Sequence, residues 1–129
     1  MVIDASAAVE LLLDTERGRR LSSRLAAESV EIHVPHLVDL EIAQALRSYA
    51  RRGVFDAERG ARALRHWRHL QAERYGHHRF LDRIWELRHN VSAYDAVYVA
   101  LAEALSTILL TADRRLAGAP GLEGRIELI

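Results

Sequence analysis

The sequence predicts an α/β fold, a three-layer α/β/α sandwich around a central parallel sheet, and three observations lead to it. Short runs that are apolar along their whole length alternate with longer amphipathic stretches; the runs stop at turn residues; and no internal repeat, low-complexity tract or linker divides the chain. Strands that are apolar throughout belong inside a sheet covered on both faces, which parallel strands joined by helical crossovers provide. With 129 residues the chain matches a single domain, 1–129, with one core.

The opening Met1-Val2-Ile3-Asp4 reads as a strand ending in an acid, after which Ala8, Val9, Leu12 and Leu13 recur at helical spacing. A second amphipathic stretch, from about Arg17 to Ala27, places Leu21, Leu25 and Ala26 on one side. Glu31 to Val34 alternates around β-branched residues and stops at Pro35. From His36 to Arg51 the positions Leu37, Val38, Leu40, Ile42, Ala45, Leu46 and Tyr49 form a broad helical stripe, closed by Gly53. Asp56 to Leu70 is a further helix with an arginine-rich outer side, His78 to Leu81 a strand, and Asp82 to His89 a short helix. Ser92 to Leu105 is a helix opened by Ser-x-x-Asp in the manner of a capping box. Thr107 to Leu110 and Ile126 to Ile129 are apolar strands, with one helical turn, Asp113 to Ala117, between them.

Composition removes several chemistries. There is no cysteine, so disulfides, zinc–thiolate sites, iron–sulfur ligation and thiol nucleophiles are excluded, and a reducing compartment is the expected setting. All 18 basic residues are arginine. The missing lysine argues against receiver domains and haloacid-dehalogenase-like phosphatases, which also place aspartates at parallel strand ends; the residue two after Asp4 is Ser6, not a second aspartate. Neither a Walker loop nor a G-x-G-x-x-G turn is present. The N-terminus lacks the basic start of a signal peptide, and the longest apolar stretch, Ala96 to Ala102, falls far short of the roughly 18 residues that span a bilayer. A soluble, cytoplasmic protein with no membrane partner is expected. Net charge is zero, yet Arg47 to Arg88 holds eleven arginines against five acids. That basic middle can attract a phosphate backbone or simply form solvated helix faces. Trp67 and Trp85 read as core or dimer contacts, and the histidines as bystanders, because zinc normally needs at least three protein ligands.

Four acids stand at the addresses where an open parallel sheet forms its ligand site, beyond the carboxyl ends of the strands. Asp4 ends the first strand and Asp113 follows a later one. Glu41 lies in an apolar helical stripe, where an unpartnered carboxylate is costly to bury. Asp95 precedes Tyr98, Val99 and Ala102 at helical spacing, which aims it inward. Singly, each has a plainer explanation: Asp113 and Asp4 as helix caps, although Ser6 competes with Asp4, and Asp95 as the third member of the capping box. Together they would repel one another and raise their pKa values unless a cation sat among them. A ligand set of oxygens alone suits Mg2+ or Mn2+, which can activate water and hold a phosphodiester for in-line attack.

The segments Val2-Ile3-Asp4-Ala5-Ser6-Ala7, Pro35 to Leu46, Ser92 to Ala102 and Leu110-Thr111-Ala112-Asp113 resemble those of VapC toxins in the PIN-domain superfamily, and the resemblance runs from residue 2 to about 117. It implies a Mg2+- or Mn2+-dependent endoribonuclease toxin of a type II toxin–antitoxin module, cutting transfer or ribosomal RNA by metal-activated water. Asp4, Glu41, Asp95 and Asp113 would be both catalytic residues and metal ligands. A homodimer restrained by a VapB-like antitoxin is implied as well. Ser6 and Thr111 match small hydroxyl positions that bind a metal's water or orient a carboxylate. Ala5 stands where threonine often follows the first aspartate, which removes one hydroxyl. Arg47, Arg51, Arg114 and Arg115, close in sequence to the acids, are candidates for steering the RNA backbone. The alternative reading is a catalytically silent PIN-like module that binds RNA or its antitoxin; retention of all four acids argues against it.

Overall fold

The computed structural model describes residues 1–122 and 124–129. Its strands are β1 (Val2–Ile3), β2 (Ile32–Pro35), β3 (Ala72–Tyr75), β4 (Leu109–Thr111) and β5 (Ile126–Leu128). Between them run α1 (Ala5–Leu12), α2 (Glu16–Glu28), α3 (Val38–Arg51), α4 (Ala57–His69), α5 (Leu81–Glu86), α6 (Ala93–Ala104) and α7 (Arg114–Ala117). All strand pairings are parallel, in the order β3-β2-β1-β4-β5. The chain builds outward from β1 in one direction, then returns to lay β4 and β5 on its other side. Strand order therefore reverses at β1 and β4, and a crevice opens beyond their carboxyl ends.

Two groups of helices enclose the sheet. In one, α1 packs on α2, α3 and α4; in the other, α5 packs on α6, which lies across β1, β2 and β4. Val2, Ile3, Leu109 and Leu110 are fully buried, as central parallel strands must be. Helix α6 is buried from Ala96 to Ala102. A stretch apolar on all sides belongs in the interior, and its small residues Ala96, Ala100 and Ala102 let it approach the sheet closely. At the α1–α2 corner a Cβ on Gly18 would sit 2.0 Å from the Glu10 carbonyl oxygen, so only glycine fits there.

The sequence and the fold disagree at the third strand. The strand expected over His78 to Leu81 is instead a 3-10 turn, His77–Phe80, running into α5 at Leu81, and the one buried side chain of the turn is Phe80. The strand is Ala72–Tyr75, six residues before the expected one, paired with β2 from Ile32–Ala72 to Pro35–Tyr75. Its Ala-Glu-Arg-Tyr sequence has no apolar run because β3 is an edge strand, half covered and held by backbone pairing that no local pattern reveals. The predicted Thr107–Leu110 strand also moves on by one or two residues, which places Thr111 at the carboxyl edge.

Candidate metal centre

The four acids reach one region from four elements. Asp4 follows β1 and is the N-cap of α1; Asp113 follows β4 and is the N-cap of α7; Glu41 lies in the first turn of α3, and Asp95 in that of α6. The plain and the functional readings are thus compatible, since the caps are the acids. The amino ends of α1, α3 and α6 carry partial positive charge that favours carboxylates there.

Asp4 is the most tightly held. Its Oδ1 accepts from the Ala7 backbone N–H at 2.8 Å and from Ser6 Oγ at 2.7 Å, and its Oδ2 accepts from Thr111 Oγ1 at 2.5 Å. Ser6 Oγ in turn accepts from the Ala112 N–H at 2.8 Å, and Thr111 Oγ1 accepts from the Asp113 N–H at 2.9 Å. The two hydroxyls tie the end of β1 to the end of β4 and fix both the rotamer of Asp4 and the backbone that carries Asp113. Burial pushes the Asp4 carboxyl above the ordinary aspartate range; the hydrogen bonds from Thr111, Ala7 and Ser6 oppose this, and the charge of Asp113 adds to it.

Glu41 is half-buried, and its Oε2 accepts from the Tyr98 hydroxyl at 2.5 Å. Burial raises its pKa, the Tyr98 bond lowers it, and the charges of Asp4 and Asp95 raise it again. Tyr98, 2% exposed, has its own ionisation suppressed by burial and by Glu41, so it stays a donor. The partner a buried Glu41 requires is therefore a phenol. Its signal in the sequence was the spacing of three residues from Asp95, which puts both on one face of α6.

Asp95 Oδ2 accepts from Ser92 Oγ at 2.8 Å, while Ser92 Oγ accepts from the Asp95 N–H at 3.1 Å. Asp113 Oδ1 accepts from the Arg115 N–H at 2.8 Å. The Arg115 guanidinium lies 3.4 Å from Asp113 Oδ2 and 3.8 Å from Asp95 Oδ2, bridging the two acids. Of the four predicted arginines, Arg115 reaches the acids. Arg114 is exposed beside it, and Arg47 and Arg51 are exposed along the body of α3. Arg51, ten residues beyond Glu41, is about 15 Å along the helix axis.

Sequence reasoning also missed the anchor beneath Glu41. Asp39, on the same turn of α3, accepts from the Trp67 indole at 2.6 Å and pairs with Arg74 at 3.1 Å, joining α3 to α4 and β3. Burial would raise its pKa, but the bonds from Arg74 and Trp67 and the Arg74 charge hold it below the ordinary range. Trp67 is core, as read from sequence, whereas Trp85 is 69% exposed.

Among the described residues no three acids converge closely enough to grip an ion directly. The donor set nonetheless fits a hard divalent cation. It consists of carboxylates coupled in the pairs Asp4–Asp113, Asp4–Glu41 and Glu41–Asp95, two of them with raised pKa values. Mg2+ keeps several waters and takes only one or two carboxylates directly, so a spread cluster with hydroxyls nearby suits it better than a tight cage.

An open parallel sheet with carboxylates at its switch point defines a class of proteins that work on a ligand through acid side chains and, where bound, a hard cation. The PIN-domain family profile matches residues 1–122. The VapC ribonuclease Mb0985 of Mycobacterium bovis is 53% identical over 116 residues, covering 90% of this chain and 87% of its own. Ribonuclease VapC1 of Mycobacterium tuberculosis is 42% identical over 129 residues, covering 99% and 96%. Among solved structures, PAE2754 from Pyrobaculum aerophilum superposes with a TM-score of 0.70 at 24% identity, over 97% of this chain and 81% of that one. VapC20 of Mycobacterium tuberculosis, a sarcin-ricin loop cleaving toxin, gives 0.60 at 18% identity, over 92% and 95%. The chain belongs to the PIN-domain family, within its VapC-type ribonucleases.

Proposed function

We propose that this chain is a Mg2+- or Mn2+-dependent endoribonuclease, the toxin of a type II toxin–antitoxin pair, which hydrolyses phosphodiester bonds in transfer or ribosomal RNA. The observation that carries the reading is the coupled set of acids at the switch point, in which buried Asp4 is oriented from three sides. Asp4, Glu41, Asp95 and Asp113 would hold the cation, whose contribution when bound is to lower the pKa of water and neutralise charge on the phosphate. Ser6 and Thr111 lock Asp4, Tyr98 holds Glu41, and Ser92 holds Asp95, so the oxygens are positioned before any ligand arrives. Arg115 supplies positive charge at the rim, balancing Asp95 and Asp113 and available to an RNA phosphate. The names of the relatives support a VapB-like antitoxin as partner. A homodimer and a cytoplasmic location belong to the same reading, and no helix among the described residues is long and apolar enough to cross a membrane.

The test uses full-length protein freed of any co-purified antitoxin and a structured RNA. Cleavage is expected with manganese and is expected to vanish with chelator or in Asp4→Asn. Equal cleavage under all three conditions would refute the proposal.

A further inference from the structure

Beside the acids lies a cavity of about 420 Å3, of which the proposed chemistry uses only the edge formed by Ser92, Asp95 and Arg115. Its walls include Arg88, His89, Asn90, Ser92, Asp95 and Arg115, so it adjoins Asp95, one of the two acids that Arg115 bridges. Pockets of roughly 300–1,000 Å3 are the size that takes small organic ligands, a nucleotide among them. Its lining holds two arginines and a histidine against the one carboxylate of Asp95, a balance that favours an anion.

The cavity has an aromatic neighbour. Trp85 is 69% exposed, an unusual position for the largest side chain. The Arg88 guanidinium lies 5.0 Å from its ring centroid and donates to the Trp85 carbonyl oxygen at 2.9 Å, so Arg88 joins the indole to the cavity wall. An exposed ring beside a cationic groove is the arrangement on which single-stranded bases stack, whatever their sequence. The lining is mixed, with Val91, Leu116 and Ala119 beside the polar residues; its two arginines and its continuity with Asp95 favour nucleic acid over a protein partner.

We propose that this cavity and Trp85 form a subsite for the nucleotide next to the scissile bond, with a phosphate between Arg88 and Arg115 and an unpaired base on the Trp85 ring. The inference rests on the nuclease reading for its place in the reaction, and it names the substrate at that position as single-stranded RNA.

The experiment is RNA binding without cleavage: full-length protein freed of antitoxin, in chelator, titrated with a short single-stranded RNA of mixed sequence. Trp67 is 2% exposed and Trp85 69%, so acrylamide quenching reports Trp85. RNA should shield it, and Trp85→Phe should abolish the quenchable signal. Trp85→Leu should weaken binding about tenfold. Arg88→Ala and Arg115→Ala should each weaken it and reduce the salt slope by about one, while Arg62→Ala, whose side chain pairs with Glu58 on α4, should not. Quenching unchanged by saturating RNA, or undiminished affinity in Arg88→Ala, overturns the proposal. So does shielding of Trp85 that grows with protein concentration before RNA is added, which would assign this surface to a second copy. If wild type cleaves with manganese while the variants bind normally, the subsite alone fails. If the variants lose binding but wild type never cleaves, the nuclease reading fails and the cavity remains an RNA site.

Discussion

Replacing Tyr98 with phenylalanine removes one oxygen from a buried ring and leaves Glu41 without its donor. The bond is short, 2.5 Å, and its acceptor is a carboxylate, a class worth about 1.5–3 kcal/mol net. Glu41 is half-buried, so water can replace part of the loss, which places the expected cost near the lower bound, about 1.5–2 kcal/mol. For a domain of this size that is a fall in Tm of roughly 5–8 °C, read by calorimetry in chelator. Phenylalanine keeps the packing of α6 against the sheet, so a cavity contributes little. A second readout separates positioning from stability. The Tyr98 bond holds the Glu41 pKa down against burial; without it the pKa rises further, and the acid limb of the activity profile should move to higher pH. A double-mutant cycle with Glu41→Ala should return a coupling energy of about 1 kcal/mol or more. A cycle that closes to zero, together with an unmoved acid limb, would refute the assignment of Tyr98 as the residue that positions Glu41.

Two further outcomes follow from burial and packing. Asp4 and Glu41 have pKa values raised in the folded chain, so the fold holds their protons more tightly than the unfolded chain does. Their contribution to stability is full below the ordinary carboxylate range and is lost as pH rises through the raised values. Asp39 and Glu103, lowered by Arg74 and Arg83 respectively, act in the opposite sense at lower pH. Measured in chelator, wild type should therefore lose stability relative to Asp4→Asn as pH rises above the ordinary aspartate range, about pH 4, and a saturating divalent ion should remove the gap; parallel curves would contradict this. Gly18→Ala should destabilise by about 1–3 kcal/mol in denaturant titration despite alanine's better helix propensity, because its Cβ would meet the Glu10 backbone at 2.0 Å. An unchanged midpoint would show that the α1–α2 corner opens freely.

Helix periodicity and strand composition made most of the fold legible. The stripe through Leu37, Val38, Ile42 and Leu46 placed α3, and Ser92 marked the start of α6, because each is a local signal. The third strand was not legible, since Ala72–Tyr75 carries no apolar run and owes its conformation to β2. At the centre, the acids were readable as strand ends and as a carboxylate in an apolar stripe. Their supports were readable only in part: Ser6 and Thr111 lie beside the acids in sequence, but the phenol that meets Glu41 is 57 residues away, and Asp39 finds Arg74 across 35. Long-range pairs of that kind depend on topology, which spacing along a chain does not encode. Of the two places the sequence offers its tryptophans, core or dimer contact, Trp67 takes the core and Trp85 does not.

Manganese binding itself tests the central claim most directly. Titration of the antitoxin-free chain, followed by the electron paramagnetic resonance of free Mn2+, should show saturable uptake of one or two ions. Uptake should weaken at least about tenfold in Asp4→Asn and in Asp113→Asn, each of which removes a carboxylate proposed as a ligand, and should be unchanged in Asp14→Asn, an exposed acid paired with Arg19. Identical isotherms for all four proteins would mean that the cation binds elsewhere and that these carboxylates do not form its site.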